Sequence, residues 1–260
     1  MRRASTRLAL LGLAALTLAL PAAAGAAPAV TVKVKIVPIP KNPSAANGPT
    51  WPGTGLLGAG AALETEIGIS GTEYGGFPPP LIGVKFITPA GTKLHPQGFP
   101  TCPEATLESH EVQKCPKNSS AGPTGQANGV VSFGGTRVHE SLTIQPFFAP
   151  GGGIAFFSEG RSPASIEILS KGAFSNGPSG FGPQFNAEIP LVVTVPEAPY
   201  GVVESIKVKV GAAFKQGKKL ISYGTVPSKC AKGGFPVKAE FTFFGGAVVP
   251  VSLKAPCPKK

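Results

Sequence analysis

The residues that could perform acid–base or metal chemistry are few. All thirteen acidic residues are Glu and Asp is absent, which excludes EF-hands and aspartic dyads, since both depend on Asp. Glu104, Glu108, His110 and Glu111 lie close together in the chain, and carboxylate and imidazole groups can ligate divalent ions. The group lacks a recognised spacing such as H-E-x-x-H, and clustered Glu is more typical of a solvated surface. We therefore predict no metal site, and the role of the cluster stays open.

The sequence gives little support to two common enzyme motifs. No G-x-S-x-G segment marks a nucleophilic serine. Residues 53–58 match G-x-G-x-x-G, and Glu73 follows at roughly the spacing of a dinucleotide-binding fingerprint, about 20 residues on. Trp51-Pro52 precede the match where a strand is required, so we interpret the segment as a loop. The sequence predicts no catalytic residue and no cofactor, with a secreted hydrolase of unrecognised site as the alternative function.

Glu140 interrupts an alternating pattern. Val138, Leu142 and Ile144 face one side of a predicted strand and place Glu140 among them. A β-bulge that turns Glu140 outward would explain the pattern, and we favour it. A buried functional carboxylate is the alternative.

Trp51, the single Trp, lies among Pro and Gly residues. Together with Tyr74 it could form a platform on which a sugar stacks. We favour the alternative, in which Trp51 closes one end of the fold, because a lone Trp is usually highly buried.

The N-terminus has the features of a secretory signal peptide. Arg2, Arg3 and Arg7 precede an apolar run over 8–20, and small residues follow over 22–27. We assign 1–26 to the signal peptide and expect a secreted, extracellular or cell-wall-associated product without a transmembrane anchor.

Four cysteines, Cys102, Cys115, Cys230 and Cys257, follow the predicted signal peptide. Three connectivities are possible, and proximity in the sequence favours Cys102 with Cys115 and Cys230 with Cys257. Disulfides are expected in an exported protein, because its surroundings are oxidising.

Positive charge is concentrated near the C-terminus. The formal net charge is +11, and residues 205–260 contain eleven Lys against the single Glu240. Such a field attracts anionic polymers. Lys215, Lys218 and Lys219 surround Gly217 in a predicted turn and are the candidate binding site for an anionic wall polymer; no nucleic acid is expected. For the region as a whole we favour the alternative, in which its Lys are the solvent-facing residues of exposed strands, because Lys207, Lys209 and Lys238 alternate with apolar residues.

The elements that must position these residues are β-strands. Apolar and polar residues alternate over 30–36, 206–210 and 239–243, as half-buried strands require. The 35 Gly and 29 Pro punctuate about a dozen such runs, and helix is expected only within 104–114. This pattern predicts an all-β protein, an antiparallel β-sandwich of jelly-roll or Ig-like type over 27–260.

A weak internal repeat raises a second possibility for the domain organisation. The segment at 91–94 reads Gly-Thr-Lys-Leu and the segment at 217–220 reads Gly-Lys-Lys-Leu. Each segment is followed by a Gly, a Pro and a Cys in the same order. Two related β-units, about 27–150 and 151–260, are therefore the alternative to one domain.

Two cysteine-containing segments carry a resemblance. The first comprises residues 98–102 and the C-P-x-x-S-x-x-G pattern at 115–122, and the second comprises residues 227–236 and Pro256-Cys257-Pro258. Both segments resemble secreted, uncharacterised β-rich proteins of actinobacteria. The resemblance implies an exported Gram-positive envelope or extracellular protein and transfers no activity. Our sequence-based expectation is a disulfide-stabilised, non-catalytic binding or cell-envelope component.

Overall fold

The computed structural model describes residues 27–45 and 47–258, and the predicted signal peptide at 1–26 lies outside them. The strands are β1 (Ala29–Val37), β2 (Ala62–Ser70), β3 (Leu81–Pro89), β4 (Lys93–Leu94), β5 (Gly125–Phe133), β6 (Thr136–Phe148), β7 (Ile154–Gly160), β8 (Ile166–Ser175), β9 (Phe181–Glu188), β10 (Val202–Val210), β11 (Ala213–Gln216), β12 (Lys219–Ser222), β13 (Gly224–Thr225), β14 (Phe235–Phe243) and β15 (Val248–Ala255). The helices are α1 (Glu104–Glu108) and single 3-10 turns at Val112–Lys114 and Pro150–Gly152.

Within these described ranges, every helix is too short to cross a membrane.

Eleven strands form one antiparallel sheet in the order β1-β2-β10-β5-β6-β7-β8-β9-β3-β14-β15. The two edge strands, β1 and β15, lie next to each other without forming a ladder, so the sheet is rolled up and nearly closed. Two small ladders, β11 with β12 and β4 with β13, lie outside it. The predicted all-β antiparallel class is confirmed.

The expected sandwich differs from this arrangement in one respect. A sandwich has two separate sheets, whereas these strands belong to one continuous sheet whose inner face packs on itself. Alternation in the sequence reports which side of a strand is buried, and it carries no information about which strands are neighbours. Strands from the two halves of the chain are intermixed in the sheet. From the second half, β10 lies between β2 and β5, and from the first half, β3 lies between β9 and β14.

Each predicted alternating strand buries the expected face. Val34 of β1 and Phe241 of β14 are buried, whereas Lys33 and Lys238 on the same strands are exposed. The edge strands also carry residues that limit further pairing, since β15 contains Pro250, which has no backbone N–H, and β1 presents Lys side chains.

Both predicted disulfides are present. The Cα atoms are 5.0 Å apart in Cys102–Cys115 and 6.0 Å apart in Cys230–Cys257. The first closes a segment that includes α1 and lies on the outer face of β6, β7 and β8, where Leu107 packs against Phe147 and Phe157. The helix predicted within 104–114 is therefore confirmed as two short turns.

The rolled sheet has two distinct ends. We call one the disulfide end, where Val37, Phe148, Ser175 and Ala255 terminate their strands. We call the other the strap end, where Ser70, Phe133, Gly160, Glu188 and Phe243 do so. The strap is the connection from β9 to β10, residues 189–201.

Candidate functional site: an apolar cavity inside the sheet

An apolar cavity of about 300 Å³ lies inside the rolled sheet. Its lining is apolar because the inward positions of the strands carry apolar side chains while the charged residues between them point outward. All eleven strands of the sheet contribute to its lining, which includes Val34, Ile67, Val84, Phe86, Ala127, Ile144, Phe156, Phe174, Phe185, Val208, Val237 and Ala255. Among the described residues that line the cavity, none carries a charge.

Among the described residues, three buried Ser and Thr hydroxyl groups provide polar points in this lining. Thr65 lies on β2, Ser158 on β7 and Ser170 on β8, and each is at most 9% exposed. Ser158 pairs with Ile168, and Ser170 pairs with Phe156, so the two serines are diagonal neighbours on the inner face. Together they can exchange hydrogen bonds with one small polar group of a ligand.

Aromatic side chains close the disulfide end of the cavity. The ring of Phe99 lies 4.8 Å from that of Phe148, 4.9 Å from that of Phe214 and 5.5 Å from that of Tyr223, measured between centroids. The Tyr223 hydroxyl donates a hydrogen bond of 2.6 Å to the Gly152 carbonyl. Burial raises the pKa of Tyr223 well above its ordinary value.

Glu140 lies at the strap end and corrects our prediction. The β5–β6 register runs without a shift past Glu140, so there is no bulge and the side chain points inward, 1% exposed. Its carboxylate accepts hydrogen bonds from the backbone N–H groups of Ser162 (3.2 Å) and Ala164 (3.1 Å). These bonds satisfy the buried side-chain oxygens and hold the β7–β8 connection, which makes Glu140 a structural residue.

Part of the C-terminal positive charge is neutralised by β2. Lys207 Nζ lies 3.1 Å from Glu66, and Lys209 Nζ lies 3.5 Å from Glu64, across the outer face of the β2–β10 ladder. The hydrogen bond from Lys207 lowers the pKa of Glu66. The net charge of 205–260 therefore overstates the field that this region presents to a partner.

The three lysines of the predicted polymer site lie together and are exposed. Lys215 and Lys219 belong to β11 and β12, and Lys218 lies in the turn that joins them, at the disulfide end. Trp51 is close to this hairpin, because Lys215 Nζ lies 5.7 Å and Lys41 Nζ lies 5.8 Å from its ring centroid. The structure thus adds an aromatic ring and a fourth cation to the predicted site.

Trp51 and Tyr74 do not form a common platform. Trp51 lies beyond the disulfide end of β1, whereas Tyr74 follows the strap end of β2 and contacts Phe244, with 6.3 Å between ring centroids. Trp51 is half-buried, and its indole Nε1 is buried without a hydrogen-bond partner in the described structure.

The Glu104 cluster forms ion pairs that attach α1 to the sheet. Lys171 on β8 binds Glu104 and Glu108, with 2.8 Å to the latter, and the hydrogen bond from Lys171 lowers the pKa of Glu108. His110 binds Glu167, also on β8. In the described ranges, no three His, Cys or Glu side chains converge on one point where a metal could sit.

The cavity was not predicted from the sequence. The only available signal was the repeated alternation of Val, Ile and Phe along many strands, which indicates an inner face without indicating how wide the interior is. A cavity depends on how small inward residues such as Ala127, Ala187 and Ser170 from different strands come to face one another.

Comparison with protein-family models, curated proteins and solved structures finds no match for this chain.

Proposed function

We propose that this protein is an exported, non-catalytic binding protein that holds an apolar ligand inside the rolled sheet. The observation that carries the proposal is the cavity of about 300 Å³ with an uncharged, apolar lining contributed by almost every strand. The two disulfides support export, and so does the resemblance to secreted actinobacterial proteins.

The cavity volume limits the size of the ligand. A water-sized group occupies about 30 Å³, so 300 Å³ accommodates roughly ten methylene-sized groups. At about 0.8 kcal/mol for each buried methylene, the gross gain is about 8 kcal/mol, which places the tightest attainable Kd near 1 μM. A linear chain of about ten carbons with one neutral polar end, directed at Ser158 and Ser170, fits these limits.

Binding is favoured over the alternative hydrolase by the groups available. Among the described residues, the cavity lining contains Ser158 and Ser170 but no histidine that could act as a base. His110 and His139 pair with Glu167 and Glu204 on the outside of the sheet.

Titration calorimetry with decanol tests the proposal. We expect saturable binding with a negative heat-capacity change, and weaker binding of decanoate at pH 7, because its carboxylate would be buried without a cationic partner. Replacing Ala187 on the inner face by Phe should weaken decanol binding at least tenfold, since the added ring fills the cavity. The same change at the exposed Ala173 of β8 is the matched control and should leave binding unchanged. The proposal fails if wild-type protein shows no saturable binding, or if both variants bind as it does.

A second binding role is favoured by the position of Trp51 between Lys41 and Lys215. We propose that this surface, with Lys218 and Lys219, attaches the protein to anionic wall polymers, the aromatic ring stacking on a sugar while the lysines meet phosphate.

Retention on purified cell walls tests this role. Changing Lys215, Lys218 and Lys219 to Glu should abolish retention, and half-molar salt should do the same. Changing the exposed Lys229, Lys232 and Lys254 to Glu alters the net charge equally and serves as the control. Equal loss in both triple variants would show attraction by overall charge instead of a site.

A further inference from the structure

Exposed apolar side chains are concentrated at the strap end. In the part of the chain that the structure describes, seven large hydrophobic residues are exposed, and six of them belong to the loops and strand tips of this end. These six are Phe133, Leu191, Val193, Val195, Phe244 and Val248. The seventh, Leu56, lies in the β1–β2 loop at the disulfide end. A soluble surface scatters such residues singly, so a concentration of them marks an interaction site.

The strap contributes three of the six through an alternating pattern. Leu191, Val193 and Val195 point outward, while Val192 between them packs inward against Val131, Ala164 and Ile166. The Thr194 hydroxyl also binds the Ser132 carbonyl. The inner side of the strap is therefore anchored to β5 and β8, and its outer side presents valine and leucine without a covering layer.

A belt of amphipathic side chains lies beside the exposed tips. Tyr200 and Tyr74 contact Phe244, with ring centroids 5.2 and 6.3 Å away, and the Tyr74 hydroxyl accepts a hydrogen bond from the Tyr200 N–H. The guanidinium of Arg137 lies 4.6 Å from the ring centroid of Phe77. Tyr and Arg combine an apolar body with a polar end, which is the composition found where proteins meet the headgroup region of a bilayer.

We propose that the strap end docks onto a lipid surface, with the six apolar side chains inserted and the Tyr and Arg belt at headgroup depth. The shape of this end favours lipid over a second protein. A groove of about 550 Å³ lies beside the Val192 contact, between the strap and residues 165–169, so the projecting side chains do not form a flat face. Fluid lipid fills the space around such projections, whereas a rigid partner would leave the groove empty and lose those contacts.

The charges at this end indicate how the surface binds. The loops at 71–80, 134–135, 161–165, 189–201 and 244–247 contain a single cation, Arg161, which pairs with Glu159, and two anions, Glu73 and Glu197. Attraction to anionic headgroups is therefore weak here, and attachment depends on apolar insertion. This distinguishes the strap end from the Lys215 hairpin at the opposite end, whose proposed binding is electrostatic. The inference does not require a ligand in the cavity.

Flotation with phosphatidylcholine vesicles tests the docking. We expect the wild-type protein to float with these uncharged vesicles at both 0.15 M and 0.5 M salt. Replacing Phe133 or Val193 by Ser should lower the partition coefficient by about five- to tenfold, since each side chain loses its share of buried apolar area. Leu56→Ser, an equivalent exposed change at the disulfide end, should have no effect.

Two measurements separate this inference from its alternatives. Decanol binding should be the same in Val193→Ser as in wild type, so a failure of docking is distinguishable from a failure of the cavity proposal. The inference is overturned if wild-type protein does not float, if Leu56→Ser lowers flotation as much as Val193→Ser, or if sedimentation shows a dimer that Val193→Ser dissociates. The last result would identify the strap end as an interface between two copies of the chain.

Discussion

Removing the Glu140 carboxylate should destabilise the fold more than removing any carboxylate on its surface. The side chain is 1% exposed, and its two oxygens accept the N–H groups of Ser162 and Ala164 at 3.2 and 3.1 Å. Packing around it is close, because a Cβ atom placed on Gly160 would lie 2.7 Å from the nearer oxygen. Little room is left for a water molecule to replace the lost acceptor.

The magnitude follows from these two bonds. A hydrogen bond to a charged group contributes about 1.5–3 kcal/mol when its loss leaves a buried partner unsatisfied. Glu140→Ala removes both acceptors and should cost about 3–5 kcal/mol. Glu140→Gln keeps one carbonyl oxygen and should cost about 2 kcal/mol. The larger loss is a substantial fraction of the 5–15 kcal/mol that typically stabilises a domain.

Urea unfolding monitored by circular dichroism measures this loss of unfolding free energy. The loss is obtained from the shift of the urea midpoint, provided that the dependence of the free energy on urea concentration is unchanged. Glu159→Ala on the neighbouring strand is the control, because Glu159 makes only a surface ion pair with Arg161 and its loss should cost less than about 1 kcal/mol. The reasoning would be refuted if Glu140→Ala were no less stable than Glu159→Ala, or if Glu140→Gln were the more damaging of the two Glu140 variants.

Two further predictions concern Tyr223 and the cysteines. Because the pKa of Tyr223 is raised in the folded state, its contribution to stability should be complete below the unfolded pKa of about 10 and decline as pH rises above it. Tyr223→Phe should therefore lose less stability at alkaline pH than the wild type, as measured by thermal unfolding at a series of pH values. An equal loss in both proteins would contradict the assignment. Native protein should show no titratable thiol. Replacing Cys230 and Cys257 together by Ser should lower the free energy of unfolding by roughly 3.6 kcal/mol. An unchanged urea midpoint would show that this loop closure does not stabilise the fold.

The sequence predicted properties that depend on neighbouring residues. Alternation over 30–36 and 239–243 identified β1 and β14 and the faces they bury, because side-chain direction reverses at every residue of a strand. Proximity identified both disulfides, since short loops close at the smallest entropic cost. The all-β class followed from the same local signals.

Tertiary structure decided what depends on distant residues. Glu140 seemed to require a bulge because its partners, the backbone N–H groups of Ser162 and Ala164, have no signature in the sequence. Lys207 counted in full toward the C-terminal positive charge, because its partner Glu66 belongs to a strand early in the chain and reaches it only through the β2–β10 ladder. Trp51 and Tyr74 were separated by the length of β2, which lies between them.

The cavity and the apolar strap end arise in the same way. The order of the eleven strands sets the width of the interior. It also brings exposed apolar residues from three separate connections together at one end. Alternation determined that each strand has an apolar side. Only the pairing of strands distant in sequence determined that these sides enclose a space, because the width of a rolled sheet depends on how many strands it contains and how they are staggered.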